Sequence, residues 1–410
     1  MSSTSWEHEM LYPSALVRLD HSAKTSARRW RPVGRHGRRK PPYATGRNHE
    51  SGVGTLLGVV RWYGFASAWP PSAPTERFGP KTATPSLMAT PSLHRHLLVV
   101  RLRHRRRPNA SGETARETRR NPPASAVGGG QLTRLVDDLE VDGIFCTGVM
   151  SEFWALSTAE RRRQVEAVVE VVRGRSPVIA HTGHHSVVET IELTRHAERA
   201  GADFAVVVRP YYPAAAEDGI YDFYSAVCGA VDIGVWIFDT AYAGPPLPLD
   251  LVDRLADIEN VCGIKVGHPR SHYLAVLSRV ADRILVCAPA EQDLLADIRD
   301  RGQRVHMSSA APYLYQTPGW RPVLEYTRAA LSGNFTEAAE VAATLDPVRE
   351  VADKWLHGRW NRERVHPLPW IKAWAGLLGM SGGAVRPPLR SLGADEVAAL
   401  GRDLAAVGLL

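Results

Sequence analysis

From Gly128 onward the chain alternates between two textures. Short runs of near-continuous apolar residues, bounded by glycine, proline or aspartate, read as strands buried on both faces. Between them, apolar residues recur at three- and four-residue spacing, which predicts amphipathic helices. In order, the pattern predicts a helix over Gln131–Leu139, a strand over Asp142–Gly148 and a helix from Ser157 to about Arg173. Ser157-Thr158-Ala159-Glu160 has the form of a capping box, and Val165, Val168, Val169 and Val172 make the apolar stripe behind it. Strand Pro177–Thr182, helix Val187–Ala202, strand Asp203–Arg209 and helix Gly219–Val231 follow. Next come strand Gly234–Thr240, helix Pro248–Ile258, the strand around Val261–Val266, and helix Ser271–Ala281. Strand Arg283–Ala288, helix Glu291–Arg301 and strand Arg304–Ser309 complete the alternation. Four more helices are predicted: Trp320–Leu331, Thr336–Trp355, Leu368–Leu378 and Ala394–Ala406.

Doubly buried strands separated by helices indicate a parallel sheet, and this many units indicate an α/β protein of the (βα)8 TIM-barrel class. Its expected organisation is a barrel over 127–333 and a C-terminal helical extension over 334–410. The first strand is doubtful. Residues 121–130 read Asn-Pro-Pro-Ala-Ser-Ala-Val-Gly-Gly-Gly, which cannot make one. Two apolar islands lie upstream, Thr55–Val60 and Leu97–Leu102, and the latter would need an unusually long, arginine-rich connection to reach the barrel.

Charge separates the two parts of the chain. Residues 1–126 hold 22 Lys and Arg against 7 Asp and Glu, leaving 28 against 36 in 127–410, so the body is acidic although the whole carries +7. The basic segment is rich in Arg, Pro, Ser and Thr, which predicts little order. Three readings of it stay open: a solvated tail, a nucleic-acid arm, and translated sequence foreign to the fold. The early Glu7, Glu9 and Asp20 make a poor transit peptide. No apolar run is long enough to span a membrane, and four cysteines without close pairing (Cys146, Cys228, Cys262, Cys287) point to reduced thiols in a cytoplasmic protein.

Chemistry concentrates at Val261-Cys262-Gly263-Ile264-Lys265-Val266-Gly267-His268. An ammonium at the end of an apolar strand is costly to keep charged, which frees the amine as a nucleophile toward a ketone. On this octapeptide alone, a surface lysine in a strand-to-helix turn is an equal alternative. His181, with His184 and His185, lacks a carboxylate or cysteine to complete a metal set, so neither metal nor cofactor is expected.

Five motifs in order tip the balance. They are Asp142-Gly143-Ile144 with Gly148…Glu152-Phe153 and Leu156-Ser157…Glu160-Arg161; Ala200-Gly201-Ala202-Asp203 leading to Pro210-Tyr211-Tyr212; Gly263-Ile264-Lys265; and Val385-Arg386-Pro387-Pro388-Leu389. With these, residues 131–410 resemble the dihydrodipicolinate synthase / N-acetylneuraminate lyase family of Schiff-base aldolases. The resemblance implies that Lys265 forms an imine with pyruvate or another 2-oxo acid, and that the iminium serves as an electron sink for making or breaking a bond. It implies a homodimer or homotetramer in which Tyr212 crosses a subunit interface.

Two departures from the family pattern matter. The carboxylate-binding loop has Gly148-Val149-Met150-Ser151-Glu152 where the family has two threonines, so its backbone N–H groups survive and its hydroxyl relay does not. The tyrosine acid/base position reads Phe238, and Asp239, Tyr242 and His181 are the nearby candidates to replace it. The expected catalytic set is therefore Lys265, Tyr212 and Asp239. Val149, Met150, Ser151, Glu152, Phe238 and Ser309 are expected to contact substrate, with holding the loop as the other role open to Glu152. The expected function is a Schiff-base lyase acting on a 2-oxo acid. The alternatives are a sugar-acid dehydratase, or a relative that binds an oxo acid without turnover.

Overall fold

The computed structural model describes strand Gly58–Trp62 and residues 130–410. The expectation of low order over 1–126 otherwise lies outside the described residues. Eight strands form one sheet: β1 Gly58–Trp62, β2 Gly143–Cys146, β3 Val178–His181, β4 Phe204–Val208, β5 Gly234–Thr240, β6 Val261–Gly267, β7 Leu285–Cys287 and β8 Val305–Ser308. Their order is β7-β6-β5-β4-β3-β2-β1-β8, and β2 through β7 run parallel, as crossover helices require. Together with the helices between them they make a TIM-barrel fold. Where the end strands meet, His306 Nδ1 donates to the carbonyl of Ala288 at 3.2 Å.

The doubtful first strand has an unexpected solution. β1 overlaps the Thr55–Val60 island, not Leu97–Leu102, and it runs antiparallel to both neighbours. It pairs Gly58 with Phe145 and Val60 with Gly143 on one side, and Val59 with Ser308 and Trp62 with Val305 on the other. Without it β2 and β8 would each present unpaired backbone groups, and an antiparallel strand satisfies such groups as fully as a parallel one. The direction is not one that an all-parallel barrel pattern predicts.

Two apolar layers result from strand alternation. Outward side chains such as Ile144, Val207, Val235, Ile237, Ile264 and Val266 pack against the helices, while Phe145, Val206, Trp236, Phe238, Cys287 and Met307 fill the interior. A bulge at Cys262 keeps β6 in step: Val235 pairs with Val261, and Trp236 with Gly263. Gly263 is required there, since a Cβ would stand 2.5 Å from the Trp236 indole ring. Helix Thr158–Val172 opens on the capping box foreseen at Ser157 and Glu160, and helix Val187–Ala200 ends on Gly201 in the left-handed conformation.

Beyond the strands, helices Pro322–Leu331, Leu368–Leu377 and Ala394–Ala406 lie close to their predicted spans. The single helix expected over Thr336–Trp355 is instead two, Phe335–Ala343 and Asp346–Ala352. The break falls just before Pro347, whose ring has no N–H to continue the ladder. The chain then widens into two π-helical turns, Asp353–His357 and Arg359–Glu363. A short helix, Ala311–Leu314, was also unforeseen. Among the described residues no helix is long and apolar enough to cross a membrane.

Candidate active site

β5 and β6 place the Lys265 amine. Their register sets Lys265 directly beside Phe238. Both side chains point inward, and Lys265 also pairs with Cys287 on β7. The lysine is 6% exposed. Its Nζ lies 4.7 Å from the Phe238 ring centroid and 5.1 Å from that of Phe145. Two ring faces recover only part of what water would give an ammonium. Burial accordingly lowers the lysine pKa to about 8.

Lys265 opens into a cavity of about 660 Å³. Gly148, Val149, Met150 and Ser151 line one part of it, and Phe145, Phe238, Thr240, Tyr242, Ser308 and Ser309 line others. Val149–Ser151 form a short 3-10 turn, and the N–H groups of Val149 and Met150 make no hydrogen bond among the described residues. Tyr242 lines the cavity with its hydroxyl likewise unbonded among the described residues, and burial raises its pKa.

Three expected site residues lie elsewhere, and each has a physical reason. Asp239 follows Phe238 on β5 and so points outward, fully buried. It accepts hydrogen bonds from His268 Nε2 at 2.9 Å, His272 Nε2 at 3.0 Å and the Leu247 amide at 3.2 Å. Burial alone would raise the Asp239 pKa, but these donors outweigh it and hold the carboxyl below its ordinary range. Asp239 is thus a clamp behind the barrel wall and is absent from the cavity lining. Glu152 sits in the left-handed conformation at φ 58°. Its carboxylate receives Lys372 Nζ at 2.6 Å and the Arg386 amide at 2.7 Å, so it ties the loop to the C-terminal region and is absent from the cavity lining. Tyr212 is 76% exposed and outside the cavity of its own chain.

His181 is not in the lining either. Its Nδ1 donates to the Thr147 carbonyl at 3.1 Å, and burial first, then the nearby Arg161 cation, lower its pKa and favour the neutral ring. Among the described residues no cluster of His, Cys, Asp and Glu is arranged to hold a metal.

Beyond the expected site residues, the fold brings further polar groups to the cavity, Glu291 at a strand end and others that the strand ends do not include. Glu291 accepts from Arg349 Nε at 2.9 Å and Nη2 at 2.8 Å, and from the Tyr326 hydroxyl at 2.7 Å. Tyr315 and His357 meet at 3.0 Å. Arg349 and His357 are remote in sequence from the barrel strands, and no motif marks them.

The site is thus a buried lysine with a depressed pKa on an inward strand position of a TIM barrel, open to a cavity. The comparisons narrow this. Residues 131–407 match the model of the dihydrodipicolinate synthetase family. An uncharacterized DapA-like lyase of Halobacterium salinarum is 31% identical over 281 residues, covering 68% of this chain and 86% of that protein. A 4-hydroxy-tetrahydrodipicolinate synthase of Alkalilimnicola ehrlichii is 33% identical over 275 residues, covering 66% and 89%. Among solved structures, YagE, a prophage protein of Escherichia coli K12 in complex with pyruvate, superposes with a TM-score of 0.60. It is 26% identical, over 69% of this chain and 92% of that one. The chain belongs to the dihydrodipicolinate synthetase family and is a lyase of that family.

Proposed function

We propose that the protein is a class I lyase whose Lys265 forms an imine with a 2-oxo acid, pyruvate in the first instance. The observation that carries this is the Lys265 amine itself: buried between two phenyl rings, lowered to about 8, and facing a cavity large enough for a small oxo acid. A neutral amine attacks the ketone carbon, water leaves, and the iminium withdraws electrons from the adjacent carbon. The unbonded N–H groups of Val149 and Met150 supply donors for the substrate carboxylate.

Proton transfer is rerouted. Phe238, beside the lysine, has no ionisable proton, and Val149, in the loop that lines the cavity, has no hydroxyl. Tyr242 is the replacement that the geometry favours, because it lines the cavity and its hydroxyl is uncommitted. Its raised pKa keeps the phenol protonated, which suits a general acid. Tyr212, on the exposed surface, reaches an active site only in an oligomer, where it would serve a neighbouring copy. The four cysteines, all free and buried, support a reducing compartment such as the cytoplasm.

The test is borohydride reduction in the presence of pyruvate. A permanent adduct on Lys265, seen by peptide mass and absent in Lys265→Ala, is expected. No adduct in the folded wild-type protein refutes the reading, and leaves a relative that binds oxo acids without reacting.

A further inference from the structure

The turn Val149–Ser151 lies between two residues held in the left-handed region, Thr147 at φ 54° and Glu152 at φ 58°. Neither is glycine, and Thr147 is β-branched, so both backbones are strained and persist only where their surroundings over-determine them. At Glu152 those surroundings are Lys372 and the Arg386 amide. At Thr147 they come from the neighbouring strand of the barrel, β3.

Thr147 and His181 are bonded in both directions. His181 Nδ1 donates to the Thr147 carbonyl at 3.1 Å, and the Thr147 hydroxyl donates to the His181 carbonyl at 2.7 Å. Arg161 completes the joint: its Nη2 donates to that same His181 carbonyl at 2.8 Å and its Nη1 to the Gly183 carbonyl at 3.1 Å. Only an N–H can face the Thr147 carbonyl, so the ring carries its proton on Nδ1, and Nε2 is a buried lone pair with no partner among the described residues. A proton on Nε2 would add a second cation beside Arg161 with nothing to accept its hydrogen bond, which agrees with a ring held neutral. The ring is 1% exposed and packs against Phe153, with centroids 4.6 Å apart, so it has little freedom to turn away.

We propose that His181 is a positioning residue: by locking the strained Thr147 peptide it fixes where the Val149 and Met150 N–H groups point, and so sets the affinity for the substrate carboxylate without touching it. The lever is short. Gly148 alone separates Thr147 from Val149, and it has no side chain to resist a rotation, so any relaxation of Thr147 passes straight to the peptide planes that carry the two donors. Those donors make no hydrogen bond that would hold them in place from the other side. Lys265 makes none of the bonds of the lock, so the amine keeps its chemistry when the lock opens. The inference rests on the imine reading of Lys265 and on the two loop amides as carboxylate donors.

The experiment is borohydride trapping of pyruvate by the full chain, read as the half-saturating pyruvate concentration and the limiting rate. His181→Phe keeps a buried ring and removes the Nδ1–H. It is expected to raise half-saturation about tenfold and to change the limiting rate by less than about twofold, because misplaced donors lose their hold while the amine stays intact. His181→Asn, whose side-chain N–H can take the Nδ1 position, should return to within about threefold of the wild type. Thr147→Val opens the same lock from its other side and should raise half-saturation about three- to tenfold. With methyl pyruvate, which has no carboxylate charge, wild type and His181→Phe should differ by less than about twofold, a pattern that general loosening of the fold does not give. Circular dichroism checks folding, and Thr147→Val decides the matter if His181→Phe does not fold. A pyruvate half-saturation unmoved in the folded variants, an equal loss with methyl pyruvate, or a His181→Asn protein as weak as His181→Phe overturns the proposal. No adduct in the wild type sinks this inference together with the imine reading, whereas an adduct whose half-saturation ignores the lock sinks this one alone.

Discussion

The Lys265 nitrogen lies 4.7 Å from the centre of the Phe238 ring, its direct cross-strand neighbour, where a family tyrosine would bring a phenol. Burial in this apolar setting lets the amine shed its proton near pH 8, while the phenyl ring denies it an acid/base at that position. Imine formation needs the neutral amine, so the rate of pyruvate trapping should rise with pH through about 8 and level off above it. Stopped-flow or quenched borohydride trapping across pH 6–10 measures this. A profile still climbing at pH 10 contradicts the depressed pKa.

Phe238→Tyr restores a hydroxyl next to the lysine at the cost of one added oxygen in a tight interior. Turnover is expected to rise at least about tenfold, toward the lower end of what a positioned acid/base supplies. Steady-state kinetics on both proteins decide it. An unchanged kcat with unchanged stability goes against this expectation and means that Tyr242 already supplies the proton transfer in full.

Holding the lysine in its dry site costs stability below pH 8, because the unfolded chain takes up a proton that the folded one resists. The shift from the ordinary lysine value to about 8 corresponds to roughly 3 kcal/mol at neutral pH. Since the folded-state pKa is lowered, wild-type stability rises with pH between about 8 and the ordinary lysine range. Lys265→Met should abolish trapping and raise the denaturant midpoint at pH 7, with the gain shrinking above pH 9. A destabilised variant at pH 7 goes against this.

Glu152 and Lys372 form an ion pair 2.6 Å long with both side chains buried. Removing one partner strands the other charge, so Lys372→Met is expected to cost about 3–5 kcal/mol. Thermal unfolding measures the loss, and the accompanying weakening of pyruvate binding should appear as a raised KM, because the same loop carries Val149 and Met150. An unchanged melting temperature argues that the pair is energetically neutral.

β1 supplies the partner that β2 and β8 otherwise lack. A chain beginning at residue 127 is expected to melt well below the full protein, or to aggregate through its exposed strand edges. Calorimetry and light scattering distinguish the two proteins. Identical melting curves show that the antiparallel strand contributes nothing, and favour the view that the upstream sequence is foreign to the fold.

Much of this was legible along the chain, because local rules govern it. Continuous apolar runs such as Phe204–Val208 announce strands covered on both faces, Ser157 with Glu160 announces a helix start, and Lys265 in a buried strand announces a reactive amine. These depend on neighbours within a few residues. The π-helical turns at Asp353–Glu363 and the break before Pro347 escaped, since an apolar stripe at helical spacing runs through them and only packing against the barrel widens the turns.

What the amino-acid order determined by itself is the βα alternation, the family motifs and the strand lysine on which the proposed chemistry rests. Only the tertiary structure decided which way side chains face: Phe238 toward the lysine and Asp239 away, Glu152 into Lys372, and Trp360 onto Tyr242. It also set β1 antiparallel between two strands far from it in sequence. The physical reason is the same in each case. A strand's two faces are interchangeable until a sheet closes around them, and an unpaired edge accepts whichever direction brings its hydrogen bonds.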